Sequence, residues 1–198
     1  MLVAATLACG LGIEALVNEC VDLGRRVGYF RPGRKVMSLV SAMLLGADSV
    51  DGCDVLRCGR TGRVLGHRVM APSTLGTFLR AFTFGHVRQL DRVLGELLGR
   101  AWKAGAGPGA ERLVIDVDSF IQEVHGKQKH GASYGYTSKL GYHPLLATRW
   151  GSGEVLHLRF RAGRANSQRG IIRFSDELIA RVRRAGALGE ILVRADSG

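Results

Sequence analysis

The sequence has 198 residues, of which 46% are apolar, and this is enough for one large domain or two small ones with a hydrophobic core. Its 28 basic and 17 acidic residues give a formal net charge of +11, and only five of the basic residues are lysines. This composition excludes a disordered chain and favours a phosphate-rich partner, because the arginine guanidinium group matches phosphate with two parallel hydrogen bonds.

The cysteines and the apolar start narrow the class of protein further. All four cysteines lie in the first third and form no CxxC pair, so we expect free thiols in the reducing cytoplasm. Cys53, Cys58 and His67 come nearest to a zinc site, but their spacing matches no common zinc motif. The apolar run over residues 1–13 lacks a basic start and is too short to span a membrane, so we expect no membrane partner.

Helical periodicity dominates the first half of the chain. Apolar residues recur at three- and four-residue steps from Ile13 to Gly24, and a strongly apolar helix is predicted from Lys35 to Leu45. Another helix is predicted from Pro72 to Phe82, and the longest one from Val87 to Trp102. We therefore expect a helical domain over residues 1–104.

A dense basic cluster, spaced by glycines, lies just before the helix that starts at Pro72. A basic turn followed by a short capped helix resembles a helix-turn-helix, whose second helix enters a DNA major groove. The alternative is an ordinary helical pair joined by a solvated loop. The basic residues that we take as candidates for DNA contact are Arg57, Arg60, Arg63, Arg68, Arg80, Lys127 and Lys129.

A segment rich in glycine and proline, Gly105 to Gly109, interrupts the helical pattern. It predicts a linker over residues 105–110. The helical domain before it is a candidate DNA-binding domain, and residues 111–198 after it begin with strands.

The first strand after the linker carries two aspartates. The apolar run from Leu113 to Phe120 is interrupted only by Asp116, Asp118 and a serine, and both aspartates project from one face because strand side chains alternate. Buried carboxylates are costly unless they are paired, hydrogen-bonded or bound to a cation. The pattern fits either a solvated edge strand or a metal site. A second apolar run, Ile191 to Gly198, contains another aspartate at its end, Asp196, and favours the metal site.

Further strands and one helix lie between these two runs. A polar loop with His125 and His130 comes first, and either histidine is a candidate for a metal or phosphate contact or is simply exposed. Strands are then predicted over residues 142–150 and 154–161, around a Gly-Ser-Gly turn. Asn166 or Ser167 is expected to cap the helix that follows, and the last strand covers residues 190–196.

This order of elements predicts an α/β fold with a mixed sheet. A strand that returns after a crossover helix lies parallel to one of its predecessors, and ligand sites in such sheets gather at the carboxyl ends of the strands. If the last strand neighbours the first, Asp196 comes close to Asp118. The order β-β-β-α-β, with acids on the first and fourth strands, is the opening of a ribonuclease H-like sheet, and it is incomplete here.

Paired carboxylates on a basic protein indicate metal-assisted phosphoryl transfer. Carboxylates are hard oxygen ligands suited to Mg²⁺ or Mn²⁺, and two like charges held close favour a cation between them. In a two-ion site, metals about 3.5–4 Å apart activate the attacking oxygen and stabilise the leaving one. Such a site normally needs a third carboxylate.

Several motifs together resemble those of bacterial insertion-sequence transposases of the DDE type, in the group-one DDE-domain branch of the IS-four-like superfamily. The resemblance covers essentially the whole chain. The segments that carry it are Ala71 to Arg80 (APSTLGTFLR), Gly105 to Gly109 (GAGPG), Asp116 to Ser119 (DVDS), Glu123 to Gly126 (EVHG), Gly141 to Leu146 (GYHPLL) and Val193 to Gly198 (VRADSG).

The resemblance implies a ribonuclease H-like catalytic domain that cuts and joins DNA at transposon ends with two divalent ions, Mg²⁺ or Mn²⁺. It places the first acid at Asp118, with Asp116 as the alternative, and the second acid at Asp196. These residues are the candidate catalytic and metal-binding residues. The implied partners are the terminal repeats of transposon DNA and a second copy or a full-length transposase, with a location at the bacterial nucleoid.

The sequence departs from the family pattern in two places. Phe120 stands where relatives usually have threonine, so a polar neighbour of the site is lost. Relatives also continue past the Arg-Ala-Asp-Ser-Gly segment to a glutamate, the third acid. Glu123, Asp176 and Glu177 are poorly placed to replace it. We therefore expect a truncated transposase that is inactive alone. The alternatives are a non-catalytic DNA-binding or dimerising fragment, or a remnant with no selected role.

Overall fold

A computed structural model describes residues 2–126, 129–166 and 168–195. The chain divides into two compact units, Met1–Leu97 and Leu98–Gly198. The division into separate domains over residues 1–104 and 111–198, joined by a linker over residues 105–110, stays a prediction.

The first unit is helical, as its periodicity predicts. Its helices are α1 (Leu2–Gly10), α2 (Ile13–Cys20), α3 (Pro32–Leu44), α4 (Thr61–Val64), α5 (Pro72–Arg80) and α6 (Phe84–Ala101), with a 3₁₀ segment over Val50–Arg57. α3 begins three residues before the predicted start because Pro32 fits the first helical turn, where its missing N–H is not needed. None of the helices in the described ranges is by itself long and apolar enough to cross a membrane, and only the bent pair formed by α1 and α2 reaches the required length and composition.

The second unit is built on a four-stranded mixed sheet. Its strands are β1 (Leu113–Ser119), β5 (Leu145–Arg149), β6 (Val155–Arg159) and β7 (Ile191–Ala195), in the spatial order β6-β5-β1-β7. β1 pairs antiparallel with β5 and parallel with β7, and β5 pairs antiparallel with β6. The last strand therefore runs parallel to a predecessor, as predicted, and that predecessor is the first strand, which the sequence pattern had left as a condition.

Helix α7 (Ile171–Ala185) covers one face of this sheet. Its buried residues Phe174, Leu178 and Val182 recur every four positions and pack into one cluster with Ile115 and Leu156 of the sheet. The helix begins after Gly170, whose backbone is left-handed, so the predicted cap at Asn166 is wrong. The alternative cap, Ser167, lies outside the described residues.

The sequence pattern did not predict a second, smaller sheet. Strands β2 (Gln122–Glu123), β3 (Ser133–Tyr134) and β4 (Leu140–Tyr142) form it in the order β2-β4-β3. The prediction of one continuous strand over residues 142–150 is therefore wrong. The chain leaves β4 at Tyr142 and enters β5 at Leu145, and Pro144 between them has no backbone N–H to donate to a continuous ladder.

The fold class is confirmed. The main sheet has the predicted β-β-β-α-β order, and this mixed α/β arrangement is that of an incomplete ribonuclease H-like fold.

Candidate active site and nucleic-acid surface

The two aspartates of β1 lie on the face of the strand that does not join the hydrophobic core. Leu113, Ile115 and Val117 are buried, whereas Asp116 is half-buried and Asp118 is exposed. The period-two alternation of the strand therefore places both carboxylates on one face, as predicted. Their surroundings differ.

Asp116 is paired with an arginine of the neighbouring strand. Asp116 and Arg194 are register partners in the parallel ladder, and the guanidinium donates from Nε to Oδ1 at 2.7 Å and from a terminal nitrogen to Oδ2 at 2.9 Å. These hydrogen bonds lower the pKa of the Asp116 carboxyl below its usual range. The Arg194 guanidinium also lies over the Trp150 ring, 5.7 Å from its centroid. Both carboxylate oxygens of Asp116 are thus engaged.

Asp118 keeps an open carboxylate at the end of the same strand. Its Oδ1 accepts a hydrogen bond from the Ser119 backbone N–H at 2.6 Å, and no basic side chain of the described ranges pairs with it. An exposed carboxylate with a free oxygen is the ligand type that a hard divalent cation prefers.

The partner strand β7 is described as far as this end of β1. The parallel ladder runs as far as the pair Val117 and Ala195. Asp118 follows the first of these residues in the sequence and Asp196 follows the second. Asp196 itself lies outside the described residues.

A buried histidine that sequence reasoning had not selected contacts Ser119, the last residue of β1. His143 is 5% exposed, and its Nε2 lies 3.1 Å from the Ser119 hydroxyl oxygen. Its Nδ1 lies 2.7 Å from the Ala165 carbonyl oxygen. The signal in the sequence was a histidine directly before Pro144, at a break between two strands.

Four of the predicted DNA-contacting arginines come together in the first unit. Arg57, Arg60, Arg63 and Arg68 line an open groove of about 750 Å³, with His67 among them. Arg57 is paired with Asp54 at 2.6 Å, whereas the other three form no ion pair with any described residue. We call these residues the arginine groove.

A family model described as transposase DDE domain group 1 matches residues 1–198. The chain belongs to this family. Neither a curated protein nor a solved structure matches it. Membership makes the protein a transposase by family, with DNA as the implied partner and a catalytic chemistry that generally uses divalent metal ions.

The other basic candidates of this transposase lie apart from the arginine groove. Arg80 ends α5 and is not among the groove residues. Lys129 is exposed in the loop of the second unit, and Lys127 lies outside the described residues. The loop histidines His125 and His130 are exposed too. Their roles in binding stay predictions.

Two of the three acids considered as a third ligand, Glu123 and Glu177, are engaged elsewhere. Glu123 pairs with Lys139 at 2.8 Å, and this partner lowers the pKa of the Glu123 carboxyl. Glu177 pairs with Arg159 and with Arg173. Within residues 2–126, 129–166 and 168–195, no three histidine, cysteine or acidic side chains are placed to hold one metal ion. Cys53, Cys58 and His67 therefore do not form a zinc site.

The donor chemistry nevertheless fits a divalent metal at one place. The open oxygen of Asp118 is a suitable ligand, whereas Asp116 would first have to release Arg194. The described residues thus offer one free carboxylate at the carboxyl end of β1, beside the strand that leads to Asp196.

Proposed function

We propose that this transposase carries out divalent-metal-dependent cleavage and transfer of DNA strands at transposon ends, with Asp118 and Asp196 as the first two acids of the metal site. The observation that carries the proposal is the open carboxylate of Asp118 at the end of β1, for which the following backbone N–H is the one hydrogen-bond donor among the described residues.

The parallel pairing of β1 with β7 supports the choice of both acids. Val117 and Ala195 are register partners, so strands β1 and β7 run side by side up to the residue that precedes each aspartate in the sequence. Carboxyl ends of neighbouring parallel strands are where such sheets place their ligand sites. Divalent ions bound there, magnesium or manganese, would activate the attacking oxygen and stabilise the leaving oxygen of the phosphodiester.

Asp116 has a different role in this proposal. Because Arg194 binds both of its oxygens, it joins β1 to β7 and fixes the guanidinium over Trp150. Asp116 thereby stabilises the pairing of the strands that carry the acids. It remains the alternative first acid only if Arg194 leaves it.

The arginine groove would bind DNA through the phosphates of the DNA backbone. Arg60, Arg63 and Arg68 offer guanidinium groups without acidic partners among the described residues, and such groups bind phosphate without reading sequence. This surface gives affinity for DNA, and the acids of the second unit give the chemistry.

Iron-directed cleavage of the polypeptide tests the metal site. With added hydrogen peroxide and ascorbate, Fe²⁺ bound in place of Mg²⁺ reduces the peroxide to hydroxide and a hydroxyl radical, and ascorbate returns Fe³⁺ to Fe²⁺. The radicals cut the protein backbone near the bound ion, and mass spectrometry locates the cuts. We expect cuts near Asp118 that excess Mg²⁺ suppresses and that Asp118→Ala abolishes, whereas Asp116→Ala retains them. Cuts that persist in Asp118→Ala would refute the assignment.

The 198-residue polypeptide alone is expected to bind ions and DNA without cutting DNA, because a third carboxylate does not converge with Asp118 among the described residues. Labelled DNA that carries the terminal repeats, incubated with Mg²⁺ or Mn²⁺, checks this point. Strand cleavage that depends on Asp118 would overturn the expected inactivity and support the catalytic assignment.

A second candidate function is that of a non-catalytic DNA-binding or dimerising protein that interferes with a complete transposase. The arginine groove favours it, because DNA affinity needs no metal. Salt-dependent DNA binding that is unchanged in Asp118→Ala, together with an absence of iron-directed cuts, would support this second function.

A further inference from the structure

One stretch of the second unit carries five arginines and no acidic residue. It runs from Val155 to Ser175 and comprises β6, the loop between β6 and α7, and the first turn of α7. Like charges so close in the sequence repel one another unless partners from elsewhere in the fold or from solution offset them. The five residues are Arg159, Arg161, Arg164, Arg169 and Arg173.

Only some of these arginines have acidic partners within the second unit. Arg159 and Arg173 both pair with Glu177 of α7. Arg164 and Arg169 lie in the loop between β6 and α7, where both are exposed and neither forms an ion pair with a described residue. Their charges are therefore available to a partner in solution.

The remaining arginine, Arg161, holds the main chain of this loop in place. Its Nε donates to the His143 carbonyl at 2.8 Å, and one terminal nitrogen donates to the carbonyls of Asn166 and Arg169 at 3.0 and 2.9 Å. The backbone N–H of Arg164 donates to a serine hydroxyl of the small sheet at 3.0 Å. The backbone of both exposed arginines is thus fixed by hydrogen bonds within the second unit.

The loop leaves the main sheet at the edge at which β1 ends. Ser119 and Arg159, the last residues of β1 and β6, are both register partners of Leu145, and both strands are antiparallel to β5. β1 and β6 therefore point the same way and end at the same level. The two nitrogens of the His143 ring lie 3.1 Å from the Ser119 hydroxyl oxygen and 2.7 Å from the Ala165 carbonyl oxygen, so one imidazole joins the loop to the end of β1.

The side chains of the loop line an open pocket of about 410 Å³. Its lining residues are Arg164, Asn166, Gln168 and Arg169. All four side chains carry N–H donors, and none is a carboxylate. These residue types supply many of the hydrogen bonds that proteins make to DNA phosphates, and the guanidinium fork matches a phosphate with two parallel bonds. The pocket therefore fits the phosphate groups of a nucleic-acid backbone.

We propose that this pocket binds backbone phosphates of DNA at the edge of the main sheet at which β1 ends, with Arg164 and Arg169 as the phosphate ligands. The second unit then holds DNA with its own residues, in addition to the arginine groove of the first unit. The choice of DNA rests on the proposed function, because a free phosphate ion would offer the same chemistry.

Chemical modification of arginines, read by mass spectrometry, tests the pocket residue by residue. p-Hydroxyphenylglyoxal modifies accessible guanidinium groups, because its two neighbouring carbonyl carbons add two guanidinium nitrogens and close a ring. The whole chain is treated with and without a short DNA duplex, in EDTA, so that the result does not depend on a metal ion. We expect DNA to slow the modification of Arg164 and Arg169 and to leave Arg112 and Arg184 unchanged.

The two control arginines are matched to the pocket by exposure and differ in position. Arg112 directly precedes β1, and Arg184 lies in the last turn of α7, so both lie at the opposite ends of these elements from the loop. Equal protection of controls and pocket residues would overturn the proposal. A third arm replaces the duplex with inorganic phosphate at the same phosphate concentration, and equal protection there would overturn DNA as the source of the phosphate.

The same measurement separates this proposal from the proposed function. Protection of the groove residues Arg60, Arg63 and Arg68, without protection of Arg164 and Arg169, would overturn the pocket and leave DNA binding intact. An absence of protection at all of these arginines would overturn both the pocket and DNA as the partner.

Salt dependence of DNA binding gives the size of the contribution. The double variant Arg164→Gln, Arg169→Gln should lower the slope of log affinity against log salt concentration by about 0.9 to 1.8, for one or two lost phosphate contacts. Between about 50 and 200 mM salt, the wild type should then lose about 3-fold to 12-fold more affinity than this variant. The control Arg112→Gln, Arg184→Gln should change the slope by less than about 0.9. Equal slopes for the two double variants would overturn the pocket as a DNA contact.

Discussion

Replacing the three unpaired arginines of the groove should reduce the salt dependence of DNA binding by a calculable amount. Arg60, Arg63 and Arg68 form no ion pair with a described residue, so each is available to neutralise one phosphate. Each phosphate contact contributes about 0.9 to the slope of log affinity against log salt concentration, because bound counterions are released. Changing all three residues to glutamine should lower the slope by about 2.7.

The size of this effect makes it easy to measure. Between about 50 and 200 mM salt, a slope difference of about 2.7 means that the wild type loses about 40-fold more affinity than the triple variant. Fluorescence anisotropy with a labelled duplex of arbitrary sequence gives both slopes, since phosphate contacts do not depend on sequence. Arg57→Gln should have a smaller effect, because Asp54 already neutralises that guanidinium.

A charge-matched control distinguishes the groove from the general positive charge. The triple variant Arg112→Gln, Arg173→Gln and Arg184→Gln loses the same three charges from the second unit, where the first two residues already form ion pairs. The slope of this control variant should change by less than the contribution of one phosphate contact, which is about 0.9. Equal slopes for the two triple variants would refute the groove as the DNA surface.

Three further predictions concern stability and titration. Phe174→Ala should lower the free energy of unfolding by about 3–5 kcal/mol, because the ring is fully buried under the sheet, and denaturant titration should show almost no change for the exposed Ile172→Ala. Gly163→Ala should cost about 1–3 kcal/mol in the same titration, because its new methyl group would overlap two backbone carbonyls of the small sheet, and an unchanged midpoint would contradict that packing. The Asp116 carboxyl should titrate below its ordinary pKa by ¹³C resonance, and Arg194→Gln should raise that pKa. Folding lowers the pKa of Asp116. Its ion pair with Arg194 therefore stabilises the fold above the ordinary pKa of an aspartate, and this stabilisation is lost as the pH falls through the lowered pKa of the folded state.

The main sheet and its crossover helix follow from local patterns in the sequence. Alternation in Leu113 to Ser119 set the buried face of β1, and the four-residue spacing of Phe174, Leu178 and Val182 set the buried face of α7. The rule that a strand returning after a helix is parallel to a predecessor gave the direction of β7. That its neighbour is β1 was only a condition of the sequence argument, and the structure supplies it.

Other features depend on contacts that no local pattern encodes. The strands of the small sheet have two or three residues each, too few for alternation to be recognised. The partners of Asp116 and Ser119 are 78 and 24 residues away in the sequence, and the register that joins them is set by the folded sheet. Sequence reasoning therefore found both aspartates but gave them the same environment.

The most direct test of the central claim compares Mn²⁺ binding by Asp118→Asn and Asp116→Asn. Arg194 occupies both oxygens of Asp116 and leaves Asp118 open. Asp118→Asn should therefore abolish Mn²⁺ binding, measured from the electron paramagnetic resonance signal of the free ion, and Asp116→Asn should retain it. Loss of binding in Asp116→Asn together with full binding in Asp118→Asn would contradict the assignment of the first acid.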